Sequence, residues 1–190
     1  MNYDLQKADL SAVVAEARLV ADETRRAFGK LSARQINWKP REGEWSIGQC
    51  FDHLIIANRP YFPIVEEIRQ SRKRLRLRER IPLLPALFGK MIIKTLQPDS
   101  GRKVKARPQF LPSGSAIEPW VIGAFLDQQE RLVKEMEATR ALDLERITIT
   151  SPILSLITYS LMDAYRIIVV HEQNHFAQAR RVLEAPGFPT

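Results

Sequence analysis

Four stretches of this chain repeat apolar residues at intervals of three and four, and that spacing restricts the fold to packed helices. The first runs from about Asp9 to Phe28, with Val13, Val14, Ala17, Val20, Ala21 and Phe28 on one face and Gly29 as its stop. The second opens on Ser46-Ile47-Gly48-Gln49, a capping box in which Ser46 and Gln49 each satisfy the other's backbone N–H. It then places Ile47, Cys50, Phe51, Leu54, Asn58, Tyr61, Val65 and Ile68 along one stripe, with a kink expected at Pro60 and Pro63. Trp45 precedes the cap and is expected to staple onto Cys50. The third begins near Glu118-Pro119 and carries Ile122, Phe125, Leu126, Leu132, Val133 and Met136, with Gln129 inside the stripe. The fourth runs from about Ser160 to Leu183, before Pro186-Gly187. Only Ile147-Thr148-Ile149-Thr150 alternates as a short strand would. The expected fold is all-α: a four-helix bundle with a long connection between its second and third helices.

A length of 190 residues suits one domain spanning 1–190. One cysteine, Cys50, excludes an intramolecular disulfide, and its place on an apolar stripe marks it for packing rather than chemistry. The start of the chain has neither the basic nor the apolar region of a signal peptide. The longest apolar stretch, Ile81 to Leu96, is interrupted by two prolines, a glycine and two lysines, too often to span a bilayer. A cytoplasmic protein is the expectation.

The net charge of +7 is concentrated in one segment. Between Arg69 and Arg107 lie 13 basic and two acidic residues, a balance of +11; the rest holds 16 basic and 20 acidic, or −4. The segment falls in a proline-rich connection of about residues 70–117, where Leu83 to Leu96 is compatible with a short helix. Pro98-Asp99-Ser100-Gly101 and Pro112-Ser113-Gly114-Ser115 read as turns. Such a segment suits nucleic acid or an acidic surface, but a solvated insertion explains it as well, and aromatic residues for base stacking are nearly absent.

The chain has three histidines, His53, His171 and His175. His171 and His175 lie one turn apart, about 40° from each other around the axis, on the face that holds Ala164, Ile167, Ile168, Ala179 and Val182. His53 flanks the stripe of the second helix. Two interior imidazoles on one helix and a third on a facing helix can hold a divalent metal with positions left for water or substrate. Neutral imidazole suits zinc, nickel, copper or iron, with zinc or nickel foremost here. The competing reading is three hydrogen-bonded core histidines. His171-Glu172-Gln173-Asn174-His175 also matches H-E-x-x-H, but Gln178 and Arg181 stand where an extended zinc protease needs Gly and His. Glu172 is then a base beside the site, an orienting partner or a solvated residue. Asp52 points away from His53, toward a surface or inter-helix role. Asn58 and Gln129 either line the cavity or pair internally, and Trp38, Trp45 and Trp120 read as packing anchors.

Trp38-Lys39-Pro40, Glu44-Trp45-Ser46-Ile47-Gly48-Gln49 leading to His53-Leu54, and the closing His171-Glu172-Gln173-Asn174-His175 resemble, in order and over nearly the whole chain, the DinB-like superfamily. Pro112-Ser113-Gly114-Ser115 is similar to its DinB_2 subgroup. The superfamily also holds thiol-dependent S-transferases and mycothiol-dependent maleylpyruvate isomerase. The resemblance implies a bundle whose divalent metal is held by His53, His171 and His175. It further implies a homodimer and, in some members, transfer or isomerisation with a low-molecular-weight thiol.

The expected function is that of a metal-dependent enzyme activating water or a low-molecular-weight thiol against a small-molecule substrate, with S-transferase or hydrolase chemistry. The rival is a stress-response or small-ligand-binding bundle with a structural metal and no turnover.

Overall fold

A computed structural model describes residues 4–71, 84–96 and 106–190, with side chains in the middle stretch from Phe88 onward. Residues 72–83 and 97–105 of the basic insertion, with nine of its basic residues and the turn expected at Pro98-Gly101, lie outside the described residues. The chain is helical in the order expected: α1 Leu10–Phe28, α2 Ala33–Asn37, α3 Ile47–Asn58, α4 Tyr61–Arg69, α5 Leu84–Leu96, α6 Val121–Ala138 and α7 Leu161–Leu183. Two three-residue strands, β1 Thr148–Thr150 and β2 Thr158–Ser160, pair antiparallel with Thr148 opposite Ser160. The all-α bundle is therefore present, with this small ladder as its only sheet among the described residues.

Local chemistry sets the helix starts. The Asp9 side chain accepts from the Ala12 N–H and opens α1. The Ser46–Gln49 capping box forms in both directions and opens α3. A second box, Ser32 with Gln35, opens α2, a helix absent from the sequence reading although Ser-x-x-Gln is the same signal.

The expected kinked second helix is instead two helices. The break falls at Arg59-Pro60, because Pro60 cannot supply the N–H that would continue α3. Pro63 causes no distortion: it lies in the first turn of α4, where its missing N–H has no intrahelical partner to lose.

The fourth expected helix begins where expected, but its start is shared with a strand that the sequence reading missed. Ser160 ends β2 and caps α7, its hydroxyl accepting from the Asp163 N–H at 3.0 Å. The N–H groups of Leu161 and Met162 donate to the carbonyls of Ile147 and Leu144. With its free donors satisfied, the first turn of α7 can be buried, and every residue from Leu161 to Val170 is.

Arg166 is buried within that stretch. It donates to Asp163 at 2.8 Å, to Glu145 at 2.7 Å and to the Ala8 carbonyl at 2.8 and 3.0 Å. One guanidinium thus ties the N-terminal segment and the α6–β1 connection to α7.

The core forms two apolar clusters. One gathers Val13 and Ala17 of α1, Tyr61 and Val65 of α4, Met136 of α6 and the eight apolar residues between Leu161 and Val170 of α7. The other gathers Val20 and Phe28 of α1, Cys50, Phe51 and Leu54 of α3, Phe125 of α6, and Phe176, Ala179 and Val182 of α7. Between the two sets, α7 presents its central segment, Glu172 and Gln173 included.

No helix of the described residues is long and apolar enough to cross a membrane. Trp120, read as a packing anchor, is instead 68% exposed: it sits at the helix boundary, outside the α6 stripe.

At Gly89, α5 crosses α7. A Cβ there would stand 2.2 Å from Asp163 Oδ2 and 2.9 Å from Asp163 Cβ. Gly89→Ala is expected to push α5 off α7 at a cost of about 1–3 kcal/mol. Gly123→Ala, on α6 with nothing within 4 Å of its added Cβ, is expected to stabilise by about 0.5–1 kcal/mol. Denaturant unfolding of the two variants checks both signs.

Candidate metal centre

The three histidines meet. His53 comes from α3, His171 and His175 from successive turns of α7. The Nε2 of His171 lies 3.2 Å from Nε2 of His53 and 3.1 Å from Nε2 of His175. One ring nitrogen from each residue lies within 4.8 Å of the other two, so the group could hold a metal ion. Nitrogens bound at about 2.0–2.1 Å to one tetrahedral ion stand about 3.3 Å apart, and cis nitrogens on an octahedral ion about 2.9 Å. The two spacings from His171 lie between these values and the third pair is within 4.8 Å, so the donor set is compatible with a divalent cation.

The second nitrogen of two rings is also occupied. His53 Nδ1 lies 2.5 Å from the Phe110 carbonyl oxygen. A carbonyl only accepts, so the proton is on Nδ1 and the Nε2 lone pair is free. His175 Nδ1 is 2.9 Å from Gln178 Oε1, which fixes the same tautomer. Two lone pairs therefore point at His171 Nε2, and either a proton there or a shared cation relieves their repulsion. The Phe110 carbonyl lay beyond sequence reasoning, because a backbone group 57 residues away carries no motif, whereas Gln178 lies one turn from His175 on the same helix and its i,i+3 spacing was the available signal.

Burial keeps all three rings neutral. It pulls His53 below the usual histidine range, with Phe110 and Asp52 acting in the opposite direction. It pulls His171 well below that range, helped by the two neighbouring imidazoles, and His175 down to about 3. Neutral imidazole is the form that binds metal.

Trp45 forms one wall. Its ring stacks on His175, with centroids 5.6 Å apart and planes 18° apart, and lies 5.0 Å from His53. The expected staple on Cys50 is thus only part of its role. It joins the apolar cluster that contains Cys50, but its face is given to the imidazoles. Cys50 itself is sealed in the core, where burial pushes its thiol up to about 12.

Glu172 does not reach the three rings. It is fully buried, and its carboxylate accepts from Asn58 Nδ2 at 2.7 Å and Gln129 Nε2 at 2.8 Å. One helical residue rotates a side chain by about 100°, which carries Glu172 away from His171 and onto α3 and α6. Burial raises its carboxyl to about 8, against the pull of the two amides. The readings of Glu172 as solvated, or as a base on the histidine face, are both replaced by this buried three-helix contact. Asn58 and Gln129, expected either to line the cavity or to bond to each other or to backbone, share Glu172 as their acceptor, and Gln129 also donates to the Ala17 carbonyl. Gln173 extends the polar layer to α1, donating to Glu16 at 2.9 Å. Asp52 points away from the site, as expected, and accepts the Ser113 N–H at 2.6 Å.

Three imidazoles from two helices, converging between the apolar clusters of a helical bundle, define a class: bundle proteins with an interior three-nitrogen site. Within that class the chain belongs to the DinB superfamily, whose family model matches residues 16–179. No curated protein and no solved structure matches the chain.

Removing the shared carboxylate should be costly. Glu172→Ala leaves two buried amides without their acceptor and a cavity in the layer, for an expected loss of about 2–4 kcal/mol in denaturant unfolding.

The histidines also set a pH dependence for the metal-free protein. Their folded pKa values lie below the unfolded value, so the unfolded chain binds more protons as pH falls. The histidines' contribution is fully present above about 6.5 and is expected to decline below it, toward the range of His175 near 3. Glu172 acts in the opposite sense, its contribution being lost as pH rises from about 4.5 to about 8. The difference in melting temperature between the metal-free wild type and His175→Gln, followed from pH 7.5 to 4.5, isolates the histidine part and should move against the wild type as pH falls.

Proposed function

We propose that His53, His171 and His175 bind one divalent cation, zinc or nickel foremost, and that the protein is a metal-dependent enzyme for a small electrophilic substrate. The observation that carries this reading is the convergence of three neutral imidazoles, with His171 Nε2 3.1–3.2 Å from the Nε2 atoms of the other two and the opposite nitrogens of those two rings held by acceptors. A cation bound there would lower the pKa of a coordinated water or low-molecular-weight thiol, supplying a nucleophile at neutral pH.

The chain's own part is positional. The Phe110 carbonyl and Gln178 aim two imidazoles. Trp45 shields their faces and contributes an apolar wall on which a substrate can rest. His171 and His175 are only partly buried, which leaves an approach to the open side of the cluster. Thiol-dependent S-transfer and hydrolysis both use such an approach.

Elemental analysis of untagged protein tests the metal. Close to one equivalent is expected in the wild type. The His171→Ala, His175→Ala double variant should lose it while keeping its helical circular dichroism. Azide or a small thiol should perturb the visible spectrum of the cobalt-substituted protein. A cobalt spectrum indifferent to both, with unfolding on metal removal, would make the metal structural. A well-folded wild type that takes up no zinc, nickel or manganese would leave three core histidines.

A further inference from the structure

The acceptor that orients His53 belongs to an exposed loop, not to a ligand helix. Phe110 ends a single turn of 3-10 helix, Pro108–Phe110, and the chain then runs through Pro112-Ser113-Gly114-Ser115 without regular structure. Such a segment has no ladder of its own to hold a carbonyl in place. Its backbone is instead fastened by side chains of α2 and α3. Asp52 Oδ2 accepts the Ser113 N–H at 2.6 Å, and Gln49 Nε2 donates to the Gly114 carbonyl at 2.9 Å. Asn37 closes a two-way pair with Ile117, donating to its carbonyl at 2.8 Å and accepting its N–H at 2.7 Å. Phe110 and Ile117 are buried at the two ends, while Ser113 and Ser115 between them are exposed. A Cβ on Gly48 would stand 2.8 Å from Ile36 and 3.0 Å from Ile117, so the loop's far end is also pressed against the first turn of α3.

Besides seating Ile117 in the apolar cluster, these contacts fix the place of the Phe110 carbonyl. We infer that Asp52 and Asn37 are positioning residues for the histidine cluster: by latching residues 110–117 onto α2 and α3, they hold the Phe110 carbonyl on His53 Nδ1. The latch thereby keeps the proton on Nδ1 and the Nε2 lone pair directed at His171. Neither residue touches the three imidazole nitrogens. The inference rests on the metal-binding reading for its consequence in affinity, but not for its consequence in tautomer.

Two measurements test it on the full chain. The first is cobalt(II) affinity by chelator competition. Asp52→Ala is expected to weaken binding about 10-fold, the lower end of the range for outer-sphere partners of a ligating histidine. Asn37→Ala should do the same. Asp52→Asn, which keeps an oxygen acceptor but loses the charge, should stay within about twofold of wild type, the small difference expected when one hydrogen bond is retained.

The second is histidine nitrogen-15 NMR of the metal-free proteins. Wild type and Asp52→Asn should show His53 as the Nδ1–H tautomer; Asp52→Ala and Asn37→Ala should show a mixture with Nε2–H. Unchanged affinity and an unchanged His53 tautomer in both alanine variants would overturn the latch. So would Asp52→Asn as weak as Asp52→Ala, because charge rather than the hydrogen bond would then be at work. A wild type that takes up no cobalt, yet shows the expected tautomer changes, would reject the metal reading and leave the latch standing.

Discussion

The carboxylate of Glu172 is the point on which the bundle's alignment turns. It is fully buried, and it is satisfied only when Asn58 of α3 and Gln129 of α6 arrive at the same level of α7. Apolar packing tolerates sliding between helices; a buried carboxyl with two fixed donors does not, because a shifted register would strand three polar groups in the core. Asn58 lies five residues after His53, and Glu172 directly follows His171. The contact that fixes α3 against α7 therefore also fixes the distance between the imidazoles those helices carry. One turn of slip moves a side chain about 5.4 Å along the axis, more than the 4.8 Å within which the three nitrogens gather.

The layer sits where the two apolar clusters part. Val13, Val14 and Ala17 of α1 belong to one cluster and Val20 and Phe28 to the other. The changeover falls between Ala17 and Val20, and Glu16, joined to Gln173, lies within a turn of it. α7 likewise gives its apolar residues between Leu161 and Val170 to the first cluster and Phe176, Ala179 and Val182 to the second, with its histidines between. Burial on both sides is what lowers the proton affinity of the rings and raises that of Glu172. The same desolvation thus acts in opposite directions on a base and an acid one residue apart.

Much of this was legible in the sequence, for local reasons. Capping boxes, apolar periodicity and the four-residue spacing of His171 and His175 operate within a turn or two, so they predicted helix starts and a shared face. The parts that failed depend on distant partners. β2 is three residues long and exists because β1 pairs with it across the intervening turn. Trp45 follows the staple pattern, yet its ring face is claimed by His175, 130 residues on. Glu172 sits in a motif whose familiar use puts the acid on the metal side, and only the positions of Asn58 and Gln129 show that it turns inward. The split of α3 from α4 was half legible: two prolines marked the place, but which one breaks the helix depends on where the next helix starts.

The sealing of Cys50 has a consequence for how this protein can be handled and followed. The only thiol in the chain is inaccessible and protonated, so it cannot trade disulfides with a small thiol in solution while the fold is closed. A thiol-specific reagent can reach it only when the cluster around α3 and the end of α7 opens. The rate at which Cys50 is labelled is then a clock for that opening, present in the natural sequence and confined to one half of the bundle.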